Sequence, residues 1–544
     1  MSSNASREQT WSRLENHGPW DLVIVGGGIT GVGMLHEATR RGLDALLVEQ
    51  GDFASGTSSR SSKLVHGGLR YLAQGDLRLT WHSVRERERL LNELPGLVEP
   101  IGFLMPSYDG DKMSKRMMRA GLRIYDAFGS GVPHKALSVA DLLMLAPRLR
   151  LDRLAGGFWY RDAQTDDARL VLRVLFDALA AGASALNYAR VEELLERDGK
   201  VSGVVLRDRE RADRVVKVEA RAVVNATGAW ADVLRAGVGA KAAIRPLRGS
   251  HLLFPSWRFA VAQAVAFRHP TDGRPMFAYP WEGLTLLGTT DLDHDRPLDE
   301  PPHISQGEAS SLVEAARAAF PGLSLHVGDA VSSYAGVRPV IGTGKKDPSK
   351  ESREHVIWNE RGLWTVTGGK LTTFREIARE AVDKVELTLP QPPQGADKRG
   401  RFPPPPTSAR WGELDALERR RLAGRYGTWT PALVEASREG ELERIPETWF
   451  LWAELRHAAR VERVVHLEDL LLRRVRAGLL LSEGGAEHLP RVRAICQQEL
   501  GWSDARWAKE EDAYLSTWAR QHAPPSMAPS ERVVVAPRAS APRR

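Results

Sequence analysis

The sequence contains almost no cysteine and no long apolar run. Cys496 is the one cysteine among 544 residues, which excludes a disulfide framework and a cysteine-based metal site, and we expect no metal. The longest apolar stretch, residues 170–186, carries Arg173 and Asp177 and is shorter than the roughly 20 apolar residues that a membrane-spanning helix needs. Residues 1–20 lack the charged start and apolar core of a secretory signal, so we expect a cytoplasmic protein.

A strong excess of one charge is also missing. The net charge is +7, from 76 Lys and Arg against 69 Asp and Glu, and part of the excess lies in the terminal residues 530–544. Elsewhere basic and acidic residues are interleaved, which favours a solvated mixed surface over one that binds nucleic acid. Hydrophobic residues make up 42% and charged residues 27% of the chain, as in ordinary globular proteins, and the length predicts two or three domains.

A glycine-rich turn follows the first apolar strand. The segment "DLVIVGGGITGVG", residues 21–33, places Gly26, Gly28 and Gly31 in the spacing G-x-G-x-x-G between a strand and a helix. These glycines permit a tight turn, a close backbone approach to a pyrophosphate and close packing of the helix on the strand. Glu49 ends the next strand, where a carboxylate can accept hydrogen bonds from a ribose. This βαβ unit predicts dinucleotide binding, which leaves NAD and FAD as alternatives.

Two later segments favour FAD. A strand in "VVNATGAWAD", residues 223–232, runs into Thr227 and Gly228. A late strand and glycine pair in "TVTGGKLTTF", residues 365–374, return the chain to the cofactor and place Gly369 and Thr372 at the start of a helix. A helix that begins there can face the flavin with its N-terminus.

The pattern predicts an α/β protein with a Rossmann-type FAD-binding domain, an inserted antiparallel-sheet substrate cap and a small all-helical C-terminal domain. The predicted FAD-binding domain has three parts, 20–100, 151–240 and 351–389. The other predicted boundaries are 101–150 for a cap segment or a membrane-facing segment, 241–350 for the antiparallel substrate-binding cap, 390–410 for a proline-rich linker, 411–521 for the helical domain and 522–544 for a disordered tail.

Further motifs carry a family resemblance. They are "GTSSRSSKLVHGGLRYL" (56–72), "QTDDARLV" (164–171), "GSHLLFP" (249–255), "YPWEGLTLLGTTD" (279–291), "SYAGVRPV" (333–340), "SREHVIW" (352–358), "TGGKLTTFREIA" (367–378) and "LEDLLLRR" (467–474). With the glycine-rich turn, they make the chain resemble the FAD-dependent glycerol-3-phosphate dehydrogenases, the respiratory type that passes electrons to quinone. The resemblance implies oxidation of glycerol 3-phosphate to dihydroxyacetone phosphate, with hydride transfer to the flavin.

The resemblance also implies roles for three arginines. Arg70, Arg338 and Arg353 match substrate-contacting positions of the family, and planar guanidinium groups bind phosphate oxygens through paired hydrogen bonds. We count Arg338 with the catalytic residues too. Tyr71, beside Arg70, is expected to shape the pocket.

Oxidation of a secondary alcohol requires a group that accepts the hydroxyl proton. His251 matches an active-site histidine of the family, and His66 is the second candidate. Lys370 matches a further active-site position, where an ammonium group can stabilise negative charge on the substrate oxygen or the reduced flavin.

The stretch from Gly56 to Leu72 is predicted to connect the two phosphorylated molecules. Its small polar residues offer donors to the FAD diphosphate and ribityl group, and its later part crosses toward the flavin ring. The predicted cofactor contacts in this stretch are Thr57, Ser58, Ser62, Lys63, His66, Gly67 and Gly68.

Two positions of the helical domain depart from the family pattern. His466 stands where relatives usually have threonine before "LED", and Val475 stands where they often have threonine after the paired arginines.

The family's usual electron acceptor is a membrane quinone. Residues 111–129 are basic and interrupted by apolar residues, as in an interfacial helix, and a cap helix with a solvated basic face is the alternative. We expect peripheral association with the inner face of the cell membrane, with a homodimer left open.

Three other functions are alternatives. Glycerol-3-phosphate oxidase performs the same half-reaction with oxygen as acceptor, and an FAD amine oxidase shares the "GGGITG" and "ATGAW" motifs. A flavin-holding or nucleic-acid-binding protein without turnover is the third.

Overall fold

The computed structural model describes residues 3–72, 75–111, 113–129, 131–342, 344, 351, 354–390, 402–403 and 408–525, without the side chains of residues 3–6, Arg70 and Ala409. The strands, numbered in chain order, are β1 Trp20–Val25, β2 Ala45–Val48, β3 Leu64–Val65, β4 Val98–Tyr108, β5 Lys135–Leu137, β6 Leu154–Thr165, β7 Ser184–Leu186, β8 Ala189–Arg197, β9 Lys200–Asp208, β10 Val215–Asn225, β11 Ile244–Pro255, β12 Ala264–Arg268, β13 Pro275–Trp281, β14 Leu284–Gly288, β15 Leu292–Asp293, β16 Ser332–Ile341, β17 His355–Glu360 and β18 Leu363–Gly368.

The helices are numbered in the same way. They are α1 Ser3–Asn16, α2 Ile29–Arg40, α3 Leu69–Leu72, α4 Leu77–Glu93, α5 Lys115–Phe128, α6 Val139–Leu145, α7 Asp167–Ala180, α8 Ala231–Gly237, α9 Gln306–Ala319, α10 Phe374–Glu386, α11 Ala416–Tyr426, α12 Thr430–Ala436, α13 Trp452–Val461, α14 Leu467–Asp469, α15 Ala477–Leu480, α16 Leu489–Leu500 and α17 Asp504–Gln521.

The first sheet is built around β1. Its strand order is β17-β18-β10-β1-β2-β7, with β1 parallel to both β2 and β10, and β8 and β9 extend it beside β10. Leu22 and Ile24 of β1 pack with α2, α7 and α10, whereas Val23 and Val25 pack on the other face with Trp11 of α1. Both faces are therefore covered, as a parallel sheet requires, and the predicted α/β fold is confirmed.

The second sheet has the order β15-β11-β14-β13-β12-β4-β6-β3, with β16 on β11 and β5 on β6. Its pairs are antiparallel except for a short parallel contact between β12 and β4. Because β4 and β6 join this sheet, it extends beyond the predicted cap range of 241–350. The motif stretch 56–72 enters the sheet through β3, whose Leu64 lies opposite Gln164 of β6.

The second sheet lies between two layers of helices. Leu252 of β11 packs with Leu312 and Ala316 of α9 on one face, and Leu253 packs with the C-terminal helices on the other, near Leu470. This alternation follows the two-residue period of a strand.

Buried ion pairs join the C-terminal helices to the first sheet's helices and loops. Asp52, after β2, contacts Arg473 and Arg474, and Arg169 of α7 contacts Glu462. Helices α11–α17 fall within the range predicted for the helical domain. Most of the predicted linker 390–410 and tail 522–544 lies outside the described residues.

The predicted interfacial segment contains α5. Leu122 and Tyr125 are buried, while Met117 and Ile124 are exposed. Within the described ranges, no helix is both long enough and apolar enough to cross a bilayer.

Candidate active site

The glycine-rich turn leaves no room for side chains. Gly26 has a φ of +118°, and a Cβ there would lie 2.5 Å from the carbonyl oxygen of Ala226 at the end of β10. A Cβ on Gly31 would lie 1.9 Å from the carbonyl oxygen of Gly26. Gly28 immediately precedes α2. The three predicted glycines thus bring the ends of β1 and β10 and the N-terminus of α2 to one place.

Glu49 holds this turn from the end of β2. Its Oε2 accepts a hydrogen bond from the Gly27 N–H at 2.7 Å, and its Oε1 accepts one from the Gly51 N–H at 2.8 Å. Burial raises the pKa of this carboxyl group. Each oxygen has a second lone pair, so the predicted ribose contact is compatible with these bonds.

The polar residues of the motif stretch bind three different parts of the protein. Thr57 Oγ1 donates to the Val337 carbonyl at 2.5 Å, and Ser58 Oγ accepts from the Ile29 N–H at 3.0 Å. Ser62 Oγ lies 2.9 Å from Nε2 of His251. The stretch therefore connects the start of α2 with β16 and β11 of the cap sheet.

The Lys63 side chain points into the protein interior. It is fully buried, and its Nζ donates to Asp167 Oδ1 at 2.8 Å and to the Ser59 carbonyl at 3.1 Å. Burial and the nearby Arg476 lower its pKa to about 8. The ammonium group forms a buried ion pair with Asp167, so it is not available for the cofactor contact that the sequence predicts.

His66, Tyr71, Lys370 and Thr372 form one group. Thr372 Oγ1 lies 3.2 Å from both the backbone nitrogen and the carbonyl oxygen of His66. The His66 and Tyr71 rings stack with centroids 6.4 Å apart. Lys370 Nζ lies 3.4 Å from the centroid of the Tyr71 ring and donates to Ser83 Oγ of α4 at 3.3 Å.

The glycines near this group are also constrained. A Cβ on Gly67 would lie 2.3 Å from the Tyr125 hydroxyl of α5, and Gly68 has a φ of +80°. Gly369 has a φ of +79°, and a Cβ there would lie 2.5 Å from Ile377. Close packing thus explains why these predicted cofactor positions lack side chains.

His251 of β11 is buried against the cap sheet. Its ring stacks on Tyr334 with centroids 4.6 Å apart and an interplanar angle of 14°. Burial, together with Arg338 and Lys63, holds the pKa of His251 well below 6.5. A Cβ on Gly288 would lie 2.2 Å from the His251 ring, so the neighbouring strand β14 needs a glycine at that point.

Arg338 of β16 lies on the same sheet. Its guanidinium group donates to Asp291 Oδ1 at 3.0 Å and to Thr289 Oγ1 at 2.9 Å. Its side chain is 21% exposed, so the guanidinium group is accessible from solvent. The Arg70 side chain and Arg353 lie outside the described residues.

Thr227 and Gly228 lie at the carboxyl end of β10. Thr227 Oγ1 donates to Asn225 Oδ1 at 2.7 Å, and the Gly228 carbonyl accepts from Thr367 Oγ1 of β18 at 3.2 Å. The parallel strands β1, β10 and β18 therefore end together, at the edge where open α/β sheets bind ligands.

Two family models match the chain. The model for FAD dependent oxidoreductases matches residues 21–383, and the model for the C-terminal domain of alpha-glycerophosphate oxidase matches residues 368–507. The aerobic glycerol-3-phosphate dehydrogenase of Staphylococcus aureus (strain USA300) is 34% identical over 505 residues, which are 87% of this chain and 89% of that protein. This chain belongs to the FAD-dependent glycerol-3-phosphate dehydrogenase/oxidase family.

Two further relatives agree with this assignment. The aerobic glycerol-3-phosphate dehydrogenase of Bacillus subtilis (strain 168) is 40% identical over 377 residues, which are 68% of this chain and 67% of that protein. A solved structure of glycerol-3-phosphate dehydrogenase from Bacillus halodurans, complexed with FAD, has a TM-score of 0.75 and 31% identity. It covers 95% of this chain and 98% of that one. The predicted resemblance and the FAD cofactor are confirmed.

The residues around the glycine-rich turn fit the FAD cofactor of this family. A diphosphate needs close backbone approach and a helix N-terminus, and the crowded glycines Gly26 and Gly31 beside the start of α2 provide both. Ser58 and Glu49 stabilise the same turn. These residues would hold the diphosphate and adenosine end.

Several site residues were not identified from the sequence. Asp162 of β6 accepts the Gly67 N–H at 2.9 Å, and Asp167 of α7 binds Ser61 and Lys63. Tyr334 stacks on His251, and Asp291 pairs with Arg338. Asp167, Tyr334 and Asp291 lie in the motifs "QTDDARLV", "SYAGVRPV" and "LLGTTD". Their place within these motifs could have identified them as site residues.

Proposed function

We propose that this protein oxidises sn-glycerol 3-phosphate to dihydroxyacetone phosphate and passes the electrons to a membrane quinone. FAD, when bound, supplies the hydride acceptor. The observation that carries the proposal is His251, a buried histidine that meets Ser62 at 2.9 Å and shares the cap sheet with the cation Arg338. The family membership supports a glycerol-phosphate substrate, because relatives carry that name.

His251 is the proposed proton acceptor. Its pKa is held well below 6.5 by burial and by Arg338 and Lys63, so the imidazole is neutral at pH 7 and has a lone pair for the hydroxyl proton. Among the described residues, its Nδ1 has no hydrogen-bond partner. His66, half-buried beside Tyr71 and Thr372, is the second candidate.

Cationic side chains are proposed to bind the substrate's charges. Arg338 would bind phosphate oxygens through its planar guanidinium group, together with Arg70 and Arg353. Lys370, which contacts the Tyr71 ring, would stabilise the negative charge that develops as the hydroxyl proton leaves. Tyr71 would orient that ammonium group through its ring face.

The quinone is proposed to reach the site from a membrane surface near α4 and α5. Leu77 and Trp81 of α4 and Met117 and Ile124 of α5 are exposed by 51%, 38%, 65% and 42%. The same helices contact the stretch from Gly56 to Leu72, which is predicted to cross toward the flavin ring, because Tyr125 and Val84 crowd Gly67. Basic residues such as Arg123 lie among these apolar residues, a combination that binds anionic lipid surfaces. We infer peripheral association with the inner face of the cell membrane.

Anaerobic addition of glycerol 3-phosphate to the purified holoenzyme tests the reaction. We expect loss of the flavin absorbance, whereas glycerol without the phosphate should leave the spectrum unchanged. An unbleached flavin, or a protein without flavin, would support the non-catalytic alternative. An amine oxidase would turn over its own substrate equally well after Arg338→Ala.

The acceptor is tested by measuring hydrogen peroxide per substrate oxidised, with and without a quinone analogue. We expect the quinone to suppress peroxide. Near-stoichiometric peroxide in the presence of quinone would identify a glycerol-3-phosphate oxidase instead.

Sedimentation with vesicles of anionic lipid tests the membrane surface. The double variant Met117→Gln, Ile124→Gln should lose binding, and Val215→Gln, on an exposed position of β10, should keep it. Equal binding by both variants would contradict the proposed surface.

A further inference from the structure

Two motifs of the chain meet at a residue that the proposed reaction does not use. Asp167 is the first residue of α7 and is fully buried. Its carboxylate accepts hydrogen bonds from Ser61 N at 3.0 Å, Ser61 Oγ at 2.7 Å, Lys63 Nζ at 2.8 Å, Arg476 Nη2 at 3.3 Å and Ala168 N at 3.0 Å. Asp167 belongs to "QTDDARLV", and Arg476 follows the paired arginines of the helical region.

The segment between Ser58 and Lys63 lies between this carboxylate and the active site. Ser61 is held by Asp167 on one side, and its carbonyl accepts from the Tyr334 hydroxyl at 2.9 Å. The next residue, Ser62, places its Oγ 2.9 Å from His251 Nε2. A shift of Ser61 would therefore move Ser62, whose hydroxyl contacts Nε2 of His251.

Arg476 holds the same segment from the helical region. Its Nη2 donates to the Ser59 carbonyl at 2.9 Å, and Lys63 Nζ donates to the same carbonyl at 3.1 Å. Both cations also bind Asp167 Oδ1. Two buried cations and one buried carboxylate thus fix the segment from Ser59 to Lys63, which leads into β3.

We propose that Asp167 is a positioning residue for His251: it holds Ser61, which sets Ser62 Oγ against His251 Nε2, and Arg476 completes the clamp from the helical region. This inference rests on the proposed function, in which His251 accepts the hydroxyl proton. Ser62 Oγ is the partner of Nε2, and a hydroxyl group can donate to or accept from that nitrogen. A displaced Ser62 therefore changes the hydrogen bond that sets the balance between the two neutral tautomers of the His251 ring.

The groups that face His251 come from several elements. Tyr334 stacks on the ring and Arg338 lies on the same strand, β16, while Lys63 approaches from the motif segment. Gly288 of β14 is packed against the ring. Because Asp167 is the ion-pair partner of Lys63, a change at Asp167 alters both the position of Ser62 and the charge that His251 experiences.

Spectroscopy of the histidine ring tests this inference in the holoenzyme. Long-range ¹H–¹⁵N spectra of protein with ¹⁵N-labelled histidine report the tautomer and the pKa of each ring, and the His251→Asn spectrum assigns His251. We expect Ser61→Ala, which removes one hydroxyl group, to change the His251 tautomer shifts. Asp167→Asn should change them more strongly.

Steady-state kinetics provide the second readout. Ser61→Ala should lower kcat by about 10- to 100-fold, because a displaced proton acceptor loses its alignment, while KM for glycerol 3-phosphate stays within about two-fold. The matched control is Ser138→Ala, which breaks a serine–aspartate hydrogen bond of 2.7 Å at the exposed start of α6 in the cap. It should leave both readouts unchanged.

Unaltered His251 ring shifts in Ser61→Ala would overturn the inference, even if kcat falls, because the loss would then be general destabilisation. If Asp167→Asn does not fold, Ser61→Ala decides alone. If glycerol 3-phosphate fails to bleach the wild-type flavin, the proposed function fails, but the ring spectra still decide whether Asp167 positions His251.

Discussion

The Arg474 guanidinium group donates two hydrogen bonds to the Asp52 carboxylate, at 2.5 and 2.8 Å, and both side chains are completely buried. Arg473 binds the same carboxylate at 2.6 Å. These contacts join the helical region to the segment after β2, which also carries Glu49, the residue that holds the glycine-rich turn. The helical region is therefore part of the support of the FAD-binding domain.

Removal of this carboxylate should destabilise the protein strongly. Asp52→Asn leaves two buried guanidinium groups without a charged partner, so we expect the free energy of unfolding to fall by about 3–5 kcal/mol. Urea unfolding of the holoenzyme measures this change in the free energy of unfolding. The control is Glu219→Gln, in an exposed pair with Arg197, where a loss of about 0–1 kcal/mol is expected. Equal losses in both variants would contradict the prediction.

Gly31→Ala should weaken FAD binding strongly. Its Cβ would lie 1.9 Å from the Gly26 carbonyl oxygen, so the turn or the helix start must move. We expect the Kd for FAD to rise by about 100-fold or more, which corresponds to ~2.7 kcal/mol, as measured by flavin fluorescence with apoprotein. Gly307→Ala, in α9 with open space around the position, should bind FAD normally. Normal flavin content in Gly31→Ala would show that the turn tolerates a side chain.

His251→Asn should slow anaerobic flavin bleaching by about 10²- to 10⁴-fold, the range for loss of a general base. Since the pKa of His251 lies well below 6.5, the wild-type rate should be flat from pH 8 to pH 6.5 and fall only at lower pH, where the ring gains a proton. Stopped-flow absorbance measures both effects. A larger loss of bleaching rate in His66→Asn than in His251→Asn would identify His66 as the proton acceptor.

His466 should stabilise the protein in a pH-dependent way. Burial opposes its charge, but hydrogen bonds to Glu210 and Glu510 outweigh burial and raise its pKa to about 10. A pKa raised on folding gives stability that is complete below the unfolded value of about 6.5 and disappears as pH rises toward 10. The drop in Tm caused by His466→Gln should therefore be largest below pH 6.5 and shrink between pH 6.5 and 10. A constant drop across that range would refute the charged interaction.

Lys370→Met should lower the rate of flavin bleaching by about 100-fold, because removal of one electrostatic donor at developing charge has this size of effect. The flavin content should stay near that of wild type. Lys384→Met, on the next helix and in an exposed pair with Glu380, is the matched control and should react at the wild-type rate. Equal rates in the two variants would remove Lys370 from the proposed site.

Part of this site could be predicted from the sequence because the local backbone geometry restricts which residues fit. Gly26 and Gly31 could be recognised because a tight turn and close helix packing exclude any Cβ, wherever the rest of the chain lies. The order of strand, turn and helix around them predicted the parallel sheet in the same way. The carboxylate of Glu49 also falls where the spacing placed it, at the end of β2.

Contacts between residues far apart along the chain could not be predicted from the sequence. Lys63 was predicted as a cofactor contact, but its side chain is bound by Asp167, 104 residues away along the chain. Similarly, β4 and β6 join the cap sheet through pairs such as Phe103 with Tyr160. Their apolar patterns predict strands but do not indicate which strand each one pairs with. A residue's type limits what it can bind, but the tertiary packing selects which group it meets.

The chain's own residues, read in order, were sufficient for the α/β class and the glycines of the turn, because these depend on short segments whose backbone geometry admits few side chains. The FAD cofactor and the family followed from the resemblance of the motifs. The contact of Ser62 with His251, the buried position of Lys63 and the clamp of Asp167 and Arg476 depend on segments far apart in sequence. Those contacts exist only once the helical region, the cap sheet and the motif stretch pack together, since burial and distance are properties of the folded chain.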